Sequence, residues 1–509
     1  MPSSQQRWTL LDIVESLGVA VYGPVAGDAE LEACVVGGAP GEREASAGVV
    51  IDAREVRPGD LFVALQGTRS HGLEHAAQAF ERGASAVLAG TDLEVEDDRW
   101  SELLAQAAEL GPVLVATDCD GRTALGRLAR AWRRRARWQV VGITGSSGKT
   151  STKDLLAAIL ERSGFRTRAS HANWNNEIGV PLTLLSAGSD IDVVICEMGM
   201  RGLGQVAWLC DVADPDIGIV TTAGTAHLEL LGSVENIVIA KAELLGGTWP
   251  GGVGIFPGIQ SELVEAAVRV PDRLLPFGVG EAEADDAAVL VTSVERTDTG
   301  IAGTIDLMGE ELEFRIPLHG IHQARNLAAA AAALVSLRGS ASLLADDALQ
   351  LDDADIARFT AGRGERHQLG GGGYVIADAY NANPESMAAA LAELAAANGT
   401  RRIAVLGRMA ELGRLAPRLH GNVGAAAATL DAVEELVVVG EGDDVEALAK
   451  AWHKSRGTKP TRFKDVEAAL DAAGDWCRPD DVVLVKASNS SGLGRLVDGL
   501  VERMAGGRP

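Results

Sequence analysis

Residues 140–154 read VVGITGSSGKTSTKD, and the fold turns on this stretch. The apolar run Trp138–Ile143 predicts a strand, a glycine-bearing turn follows, and Lys149–Arg162 has the pattern of a helix. A strand that feeds such a turn and then a helix aims backbone N–H groups and a helix N-terminus at an anion. Lys149 then neutralises the β- and γ-phosphates of a nucleoside triphosphate, and the Thr150 hydroxyl is placed to ligate Mg²⁺. The strict pattern GxxxxGK[ST] is not met, because Ile143 stands where its first glycine belongs. Strand and helix nevertheless flank the turn, so Gly145, Ser146, Ser147, Gly148, Lys149, Thr150 and Ser151 are read as an ATP-binding loop instead of a plain structural turn.

On either side the chain continues as α/β. Asp192–Met198 and Asp216–Thr222 are near-continuous apolar runs, which suit parallel strands covered on both faces. In open sheets of this kind ligands gather beyond the carboxyl ends of strands. Glu197 and His227 fall there, beside the phosphate loop, and with Thr150 they form the expected Mg²⁺ site, Mg²⁺ preferring oxygen donors and retaining several waters. Singly, a strand-end Glu and a lone His are ordinary surface residues; their joint placement favours the metal reading. Glu283–Glu313 reads as a β meander, Ala324–Leu337 as an alanine-rich helix and Gly339–Thr360 as an acidic linker. A second alternation has strands at Tyr374–Asp378, Ile403–Gly407, Leu436–Gly440 and Val482–Lys486, a Rossmann-like unit without GxGxxG. The first 110 residues read as a smaller α/β unit, joined by an arginine-rich helix, Gly121–Trp138, expected to be a solvated linker.

The fold class is therefore α/β in three units: a small α/β unit over residues 1–115, a central P-loop ATPase-like parallel sheet over 116–345 and a C-terminal Rossmann-like unit over 346–509. The linkers near 111–138 and 339–362 are expected to act as hinges.

Composition narrows the function. The chain has 46 basic and 71 acidic residues, a net charge of −25, which repels polyphosphate backbones, so nucleic acid is not expected as a partner. Five scattered cysteines without a CxxC pair fit neither a disulfide framework nor a zinc site, and suit a reducing cytoplasm. The N-terminus lacks the basic head and apolar core of a signal peptide. The longest apolar stretch, Leu327–Val335, is far short of the ~20 residues a membrane span needs.

Several segments together resemble one family. They are the phosphate loop, HANWNNEIGVPLTLL from His171, EMGMRG from Glu197, TAHLELLGSVENIVIAKAEL from Thr225 and GIHQARNLAAAAAAL from Gly320. With DAYNANPESMAAAL from Asp378 and RRIAVLGRMAELG from Arg401, they are similar to the Mur ligases, and to the MurF branch in particular. IDAREVRPGDLFVALQG from Ile51 is a weaker match to the uridine-nucleotide unit of that family.

The resemblance implies ATP-dependent joining of D-alanyl-D-alanine to UDP-N-acetylmuramoyl-tripeptide through an acyl phosphate, by a cytoplasmic protein expected to be a monomer. It assigns Lys149, Glu197, His227 and Lys241 to catalysis, with Lys241 at the position that is carbamylated by CO₂ in related ligases. On the residues alone Lys241 would be a surface lysine on a helix. His322 and Asn326 match an element beside the adenine, with Gln323 in place of an Asn, and Arg363 and Asp378 match residues that close over ATP. Asn173, Asn175 and Asn176, bunched in one loop, are expected to hydrogen-bond a polar substrate; Tyr380, Asn381 and Asn383 are expected near the dipeptide or the adenine. The residues of the last segment also read as a turn and helix cap. Arg408 stands where an Asp is usual in the family, and Asn489 where an Arg is common. The alternatives are a Mur-type ligase adding a single amino acid, as the MurE branch does, and an ATP-binding protein that does not ligate.

Overall fold

The computed structural model describes residues 8–24, 28–33, 35–36, 48–91, 97–172, 174–248 and 250–505. Its centre is a nine-stranded sheet in the order Glu310–Ile316, Ile301–Leu307, Val289–Arg296, Arg273–Val279, Val253–Pro257, Ile217–Val220, Gln139–Thr144, Val193–Glu197 and Thr167–Ala169. From Val289–Arg296 to Thr167–Ala169 the pairing is parallel, and the first two strands return antiparallel as a meander. The meander begins later than its sequence suggests, because Glu281–Asp286 is a 3₁₀ turn. There Glu283 accepts from the N–H of Val279 and pairs with Arg325.

Both faces of this sheet are covered, as the unbroken apolar runs require. Val141, Ile143, Ile195 and Ile219 pack under the helices Lys149–Arg162 and His322–Arg338. The second helix presents Ala328 to Ala333, all without solvent exposure, so the two helices and the sheet approach closely. Val140, Cys196 and Val220 face the opposite core.

That second core runs on into the N-terminal sheet without a break. This sheet has five strands, in the order Ala20–Tyr22, Val113–Ala116, Ala86–Gly90, Leu61–Ala64 and Val49–Val50, parallel apart from the first. The arginine-rich helix, Gly121–Arg135, lies between the two sheets. Leu125, Leu128, Ala129 and Trp132, spaced to share one helical face, are buried among residues of both. Asp120 caps its N-terminus by accepting from the Thr123 N–H at 2.7 Å. Arg133 binds Asp216 at 2.9 Å and Arg135 binds Asp12 at 2.9 Å. The expected solvated linker is thus an amphipathic wall shared by two units, and its charges fasten it to protein.

The C-terminal sheet has the order Glu365–Gln368, Tyr374–Asp378, Val482–Lys486, Arg402–Leu406, Glu435–Val439 and Thr461–Phe463, parallel except for its first strand. Part of the acidic 339–360 segment is docked on the central unit. Ala348, Leu349 and Leu351 are buried in the central core, and backbone bonds tie Leu349 and Leu351 to Arg315. Apolar residues spaced singly among aspartates gave the sequence no period to read.

Candidate active site

Register brings the site together. Glu197 lies level with Ile143, and Val220 with Thr144, so three neighbouring strands end at one height. The middle strand, Gln139–Thr144, precedes both neighbours in sequence and they flank it on opposite sides, which is the crevice where open α/β sheets bind ligands.

The turn after Thr144 needs its glycines. Gly145 has φ 151° and Gly148 φ 81°. A Cβ on Gly145 would fall 1.9 Å from Thr221 Oγ1, and one on Gly148 would fall 2.5 Å from Asn326 Oδ1. The turn is stitched to the adjoining strand end by the Ser146 N–H, which donates to Thr222 O at 2.8 Å. Lys149 arches back to donate to Gly145 O at 2.6 Å. Burial lowers the pKa of its ammonium, Glu197 opposes that shift, and Arg363 adds to it.

Behind the turn, the Thr150 hydroxyl donates to Glu197 Oε2 at 2.7 Å and Asn175 Nδ2 donates to Glu197 Oε1 at 2.9 Å. Thr150 and Glu197 are both buried. A hydroxyl and a carboxylate already in contact offer the hard oxygen donors Mg²⁺ takes. No group of three or more His, Cys, Asp or Glu among the described residues could hold a metal by itself. The donor set therefore fits an ion held largely by phosphates and water, and not a closed protein cage. His227 lines the same cleft, its Nδ1 against Glu411 Oε2. The contact with that histidine, set against the opposing effect of burial, holds the Glu411 carboxyl below the usual range.

Lys241 is not a surface lysine. It is completely buried on the inner face of the helix Val234–Gly247, and its Nζ is 3.5 Å from Thr144 Oγ1. Burial first, and the neighbouring charge of Lys149 second, push its pKa well down.

Two cavities share the phosphate loop. One runs along Ser146, Gly148, Ser151, His322 and Asn326 to Asp378, Asn383 and Lys486. The other, about 610 Å³, holds Lys149, Thr150, Asn175, Glu197, His227, Tyr380 and Glu411. Arg363 and Asn381 line both, and Arg363 lies over the Tyr380 ring at 4.4 Å. Asn326 is oriented by Gln323, whose Oε1 accepts from its Nδ2 at 2.9 Å, so the Gln that replaces an Asn still performs an amide's work.

Most expected site residues are thus gathered around one cleft, with Gly145 and Lys241 set behind its wall. Asn173 lies outside the described residues. Asn176 serves the backbone, accepting from the N–H groups of Ile178 and Gly179. Asn383 does two things: it caps the helix Pro384–Ala396 and donates to Ser146 O at 3.2 Å, joining the C-terminal unit to the phosphate loop. Asp378 is held by Lys486 at 2.7 Å. The Arg408 side chain is exposed and pairs with Asp444 at 2.7 Å.

The sequence reading missed Lys486, Glu385 and Glu411. Lys486 closes the strand Val482–Lys486, the same signal that singled out Glu197. Glu385 and Glu411 sit inside recognised segments, but nothing local says that they reach another unit.

Comparison with known proteins bears on what this cleft does. The model described as Mur ligase middle domain matches residues 143–334, the Mur ligase glutamate ligase domain matches 362–489, and the Mur ligase family catalytic domain matches 46–133. The UDP-N-acetylmuramoyl-tripeptide–D-alanyl-D-alanine ligase of Synechocystis sp. is 35% identical over 456 residues, covering 89% of this chain and 91% of that protein. The ligase of the same name from Mycobacterium tuberculosis strain H37Rv is 37% identical over 492 residues, covering 90% and 93%. Among solved structures, MurF from Acinetobacter baumannii aligns with a TM-score of 0.75 at 25% identity, over 98% of this chain and 99% of that one.

Proposed function

From the premise that this chain belongs to the Mur ligase family, we propose how its cleft carries out the reaction of the MurF branch. The enzyme joins D-alanyl-D-alanine to UDP-N-acetylmuramoyl-tripeptide at the expense of ATP. The observation that carries this reading is the single cleft in which the phosphate loop of the central sheet faces Tyr380, Asn381 and Glu411 of the C-terminal sheet.

The free carboxylate of the tripeptide is a poor electrophile. Transfer of the γ-phosphoryl group to it gives an acyl phosphate and ADP. The dipeptide's amine nitrogen then attacks the carbonyl carbon, the C–N bond forms, phosphate leaves and the amine gives up a proton. Catalysis of this kind is mainly positioning and charge neutralisation. The N–H groups of Gly148, Lys149 and Thr150, at the end of the turn and the start of the helix, cradle the phosphates, and Lys149 neutralises charge on the one transferred. Mg²⁺, when bound, would neutralise the phosphates from the side of Thr150, Glu197 and His227. Asn175 holds the Glu197 carboxylate in place. His322 and Asn326 flank the adenine, and Arg363 and Asp378 close over the nucleotide. Asn175, Asn176, Tyr380 and Asn381 form the peptide side, and Asn383 stands on the nucleotide side.

Lys241 is carbamylated in this proposal. The reaction of CO₂ needs a neutral amine, and burial beside Lys149 favours one. Residues 1–115 bind the UDP-sugar, 116–345 carry ATP and 346–509 close the cleft. No helix among the described residues is long and apolar enough to cross a membrane. A cytoplasmic monomer completes the proposal.

The test is phosphate release with ATP, Mg²⁺, UDP-N-acetylmuramoyl-tripeptide and D-alanyl-D-alanine, each omitted in turn. Release that needs all four, with the dipeptide's mass added to the UDP product, is the expected result. Equal turnover with a single amino acid would move the enzyme to another branch, and hydrolysis without any acceptor would make it a simple ATPase.

A further inference from the structure

His227 takes a left-handed backbone, φ 65°, at the start of the helix Leu228–Leu231. Its Nδ1 is buried and makes no hydrogen bond of ordinary geometry among the described residues, and the carboxylate of Glu411 stands against it. Glu411 belongs to the other sheet. It sits in the turn after the strand Arg402–Leu406, also left-handed at φ 62°.

That turn is built to hold one shape. The Met409 N–H donates to His420 Nε2 at 2.8 Å, and Nδ1 of the same buried ring contacts Ala416 O at 2.7 Å. A ring that accepts at one nitrogen and faces a carbonyl with the other is a neutral Nδ1–H imidazole. The Ala410 N–H donates to Ser488 Oγ at 2.9 Å, and the Ser488 N–H donates to Arg408 O at 2.9 Å. Across the interface, the Glu229 N–H donates to Glu411 O at 3.0 Å. Gly413, φ 55°, has no room for a comfortable Cβ, which would stand 3.1 Å from Glu229 Cβ.

A carboxylate on one imidazole nitrogen keeps the proton there and leaves the other nitrogen as an acceptor; histidines that ligate metals nearly always have such a partner. We propose that Glu411 is a positioning residue that crosses from the C-terminal sheet to hold the His227 proton on Nδ1, leaving Nε2 as the ring's free acceptor only when the two units are closed. Domain closure and completion of the cation site are then one event. The inference rests on the metal role proposed for His227.

Two readouts test it on the full-length protein. Two-bond ¹⁵N–¹H spectra of the metal-free, ¹⁵N-histidine-labelled chain report the tautomer, and His227→Gln identifies the His227 signals. Mn²⁺ binding in the presence of ADP, followed by electron paramagnetic resonance, reports the site. The wild type is expected to show the Nδ1–H pattern. Glu411→Gln keeps it, because the amide oxygen still accepts, whereas Glu411→Ala loses it and binds Mn²⁺ about 10–100-fold more weakly. A Glu411→Ala protein with wild-type tautomer and wild-type Mn²⁺ binding, while His227→Gln binds poorly, overturns the inference alone. Unchanged Mn²⁺ binding in His227→Gln overturns the metal reading and the inference with it.

Discussion

Replacing Glu385, which lines the cavity beside His322 and Asn326, with Ala removes two contacts that hold the C-terminal unit on the phosphate-loop side of the cleft. Its Oε1 accepts from the Thr225 N–H at 2.9 Å, and its Oε2 accepts from Thr225 Oγ1 at 3.0 Å. Gly224 leaves space for the carboxylate, since a Cβ there would stand 2.8 Å from Oε1. A hydrogen bond to a charged group contributes about 1.5–3 kcal/mol when well buried. This pair is exposed, and solvent screening reduces each to about 0.5–1 kcal/mol. Losing both costs the closed state about 1–2 kcal/mol, or about a five- to thirtyfold fall in the closed-to-open ratio. Where closure precedes chemistry, kcat/KM falls by the same factor. Small-angle scattering with an ATP analogue and the UDP substrate should show a more extended chain. Thr225→Val should cost about half as much alone and nothing further in the Glu385→Ala background. Wild-type scattering with kcat/KM within about twofold, or additive effects of the two substitutions, would refute the reasoning.

Three further outcomes are expected. Gly148→Ala forces a left-handed alanine, at about 1–2 kcal/mol, and drives its Cβ against Asn326, so ADP affinity should fall by at least about tenfold in calorimetry. Arg401 grips the buried Asp481 through two nitrogens, at 3.0 and 2.6 Å; Arg401→Met should lower stability to urea by about 2–3 kcal/mol, because the carboxylate left behind keeps only a backbone partner. Burial depresses the pKa of His420, and that of His319 to about 4, so the unfolded chain binds protons that the folded chain refuses. Stability from these rings is present above the ordinary value of about 6.5 and is lost as pH falls toward the folded values, so the wild-type melting temperature should drop between about pH 7 and 5, and less steeply in His420→Gln.

Much of this was legible in the sequence because it was local. Continuous apolar runs marked the strands Gln139–Thr144, Val193–Glu197, Tyr374–Asp378 and Val482–Lys486 to within a residue or two. Glycine spacing gave the phosphate loop, and strand ends gave Glu197 and His227. What failed to show depended on tertiary placement. Lys241 looks like any helical lysine until the sheet covers it. The arginines of Gly121–Arg135 suggested solvent, because charge is easier to see than the stripe of Leu125, Leu128, Ala129 and Trp132 beneath it. The contacts of Glu385 and Glu411 join segments about 160 and 180 residues apart, and no window of sequence holds both partners. Short strands such as Thr461–Phe463 are edge pieces fixed by their neighbours and leave little pattern of their own.

The helix shared by the first two sheets has a further consequence, for length. Because Leu125, Leu128 and Trp132 are sunk in a core common to both, the N-terminal sheet cannot swing relative to the phosphate loop without tearing that core. Of the two expected joints only the later one remains, where Gly362 and Gly364 take left-handed angles of 77° and 89°. The molecule is a vice with one fixed jaw. If the nucleotide sugar sits on the fixed jaw, as proposed above, its peptide hangs at a set offset from the phosphates, and the pair acts as a ruler. A peptide one residue short misses the transferred phosphoryl group by roughly 3.5 Å, a gap that closing the other jaw does nothing to shorten. Turnover of the UDP-linked dipeptide should accordingly collapse in kcat, even where its nucleotide end binds as well as the full substrate.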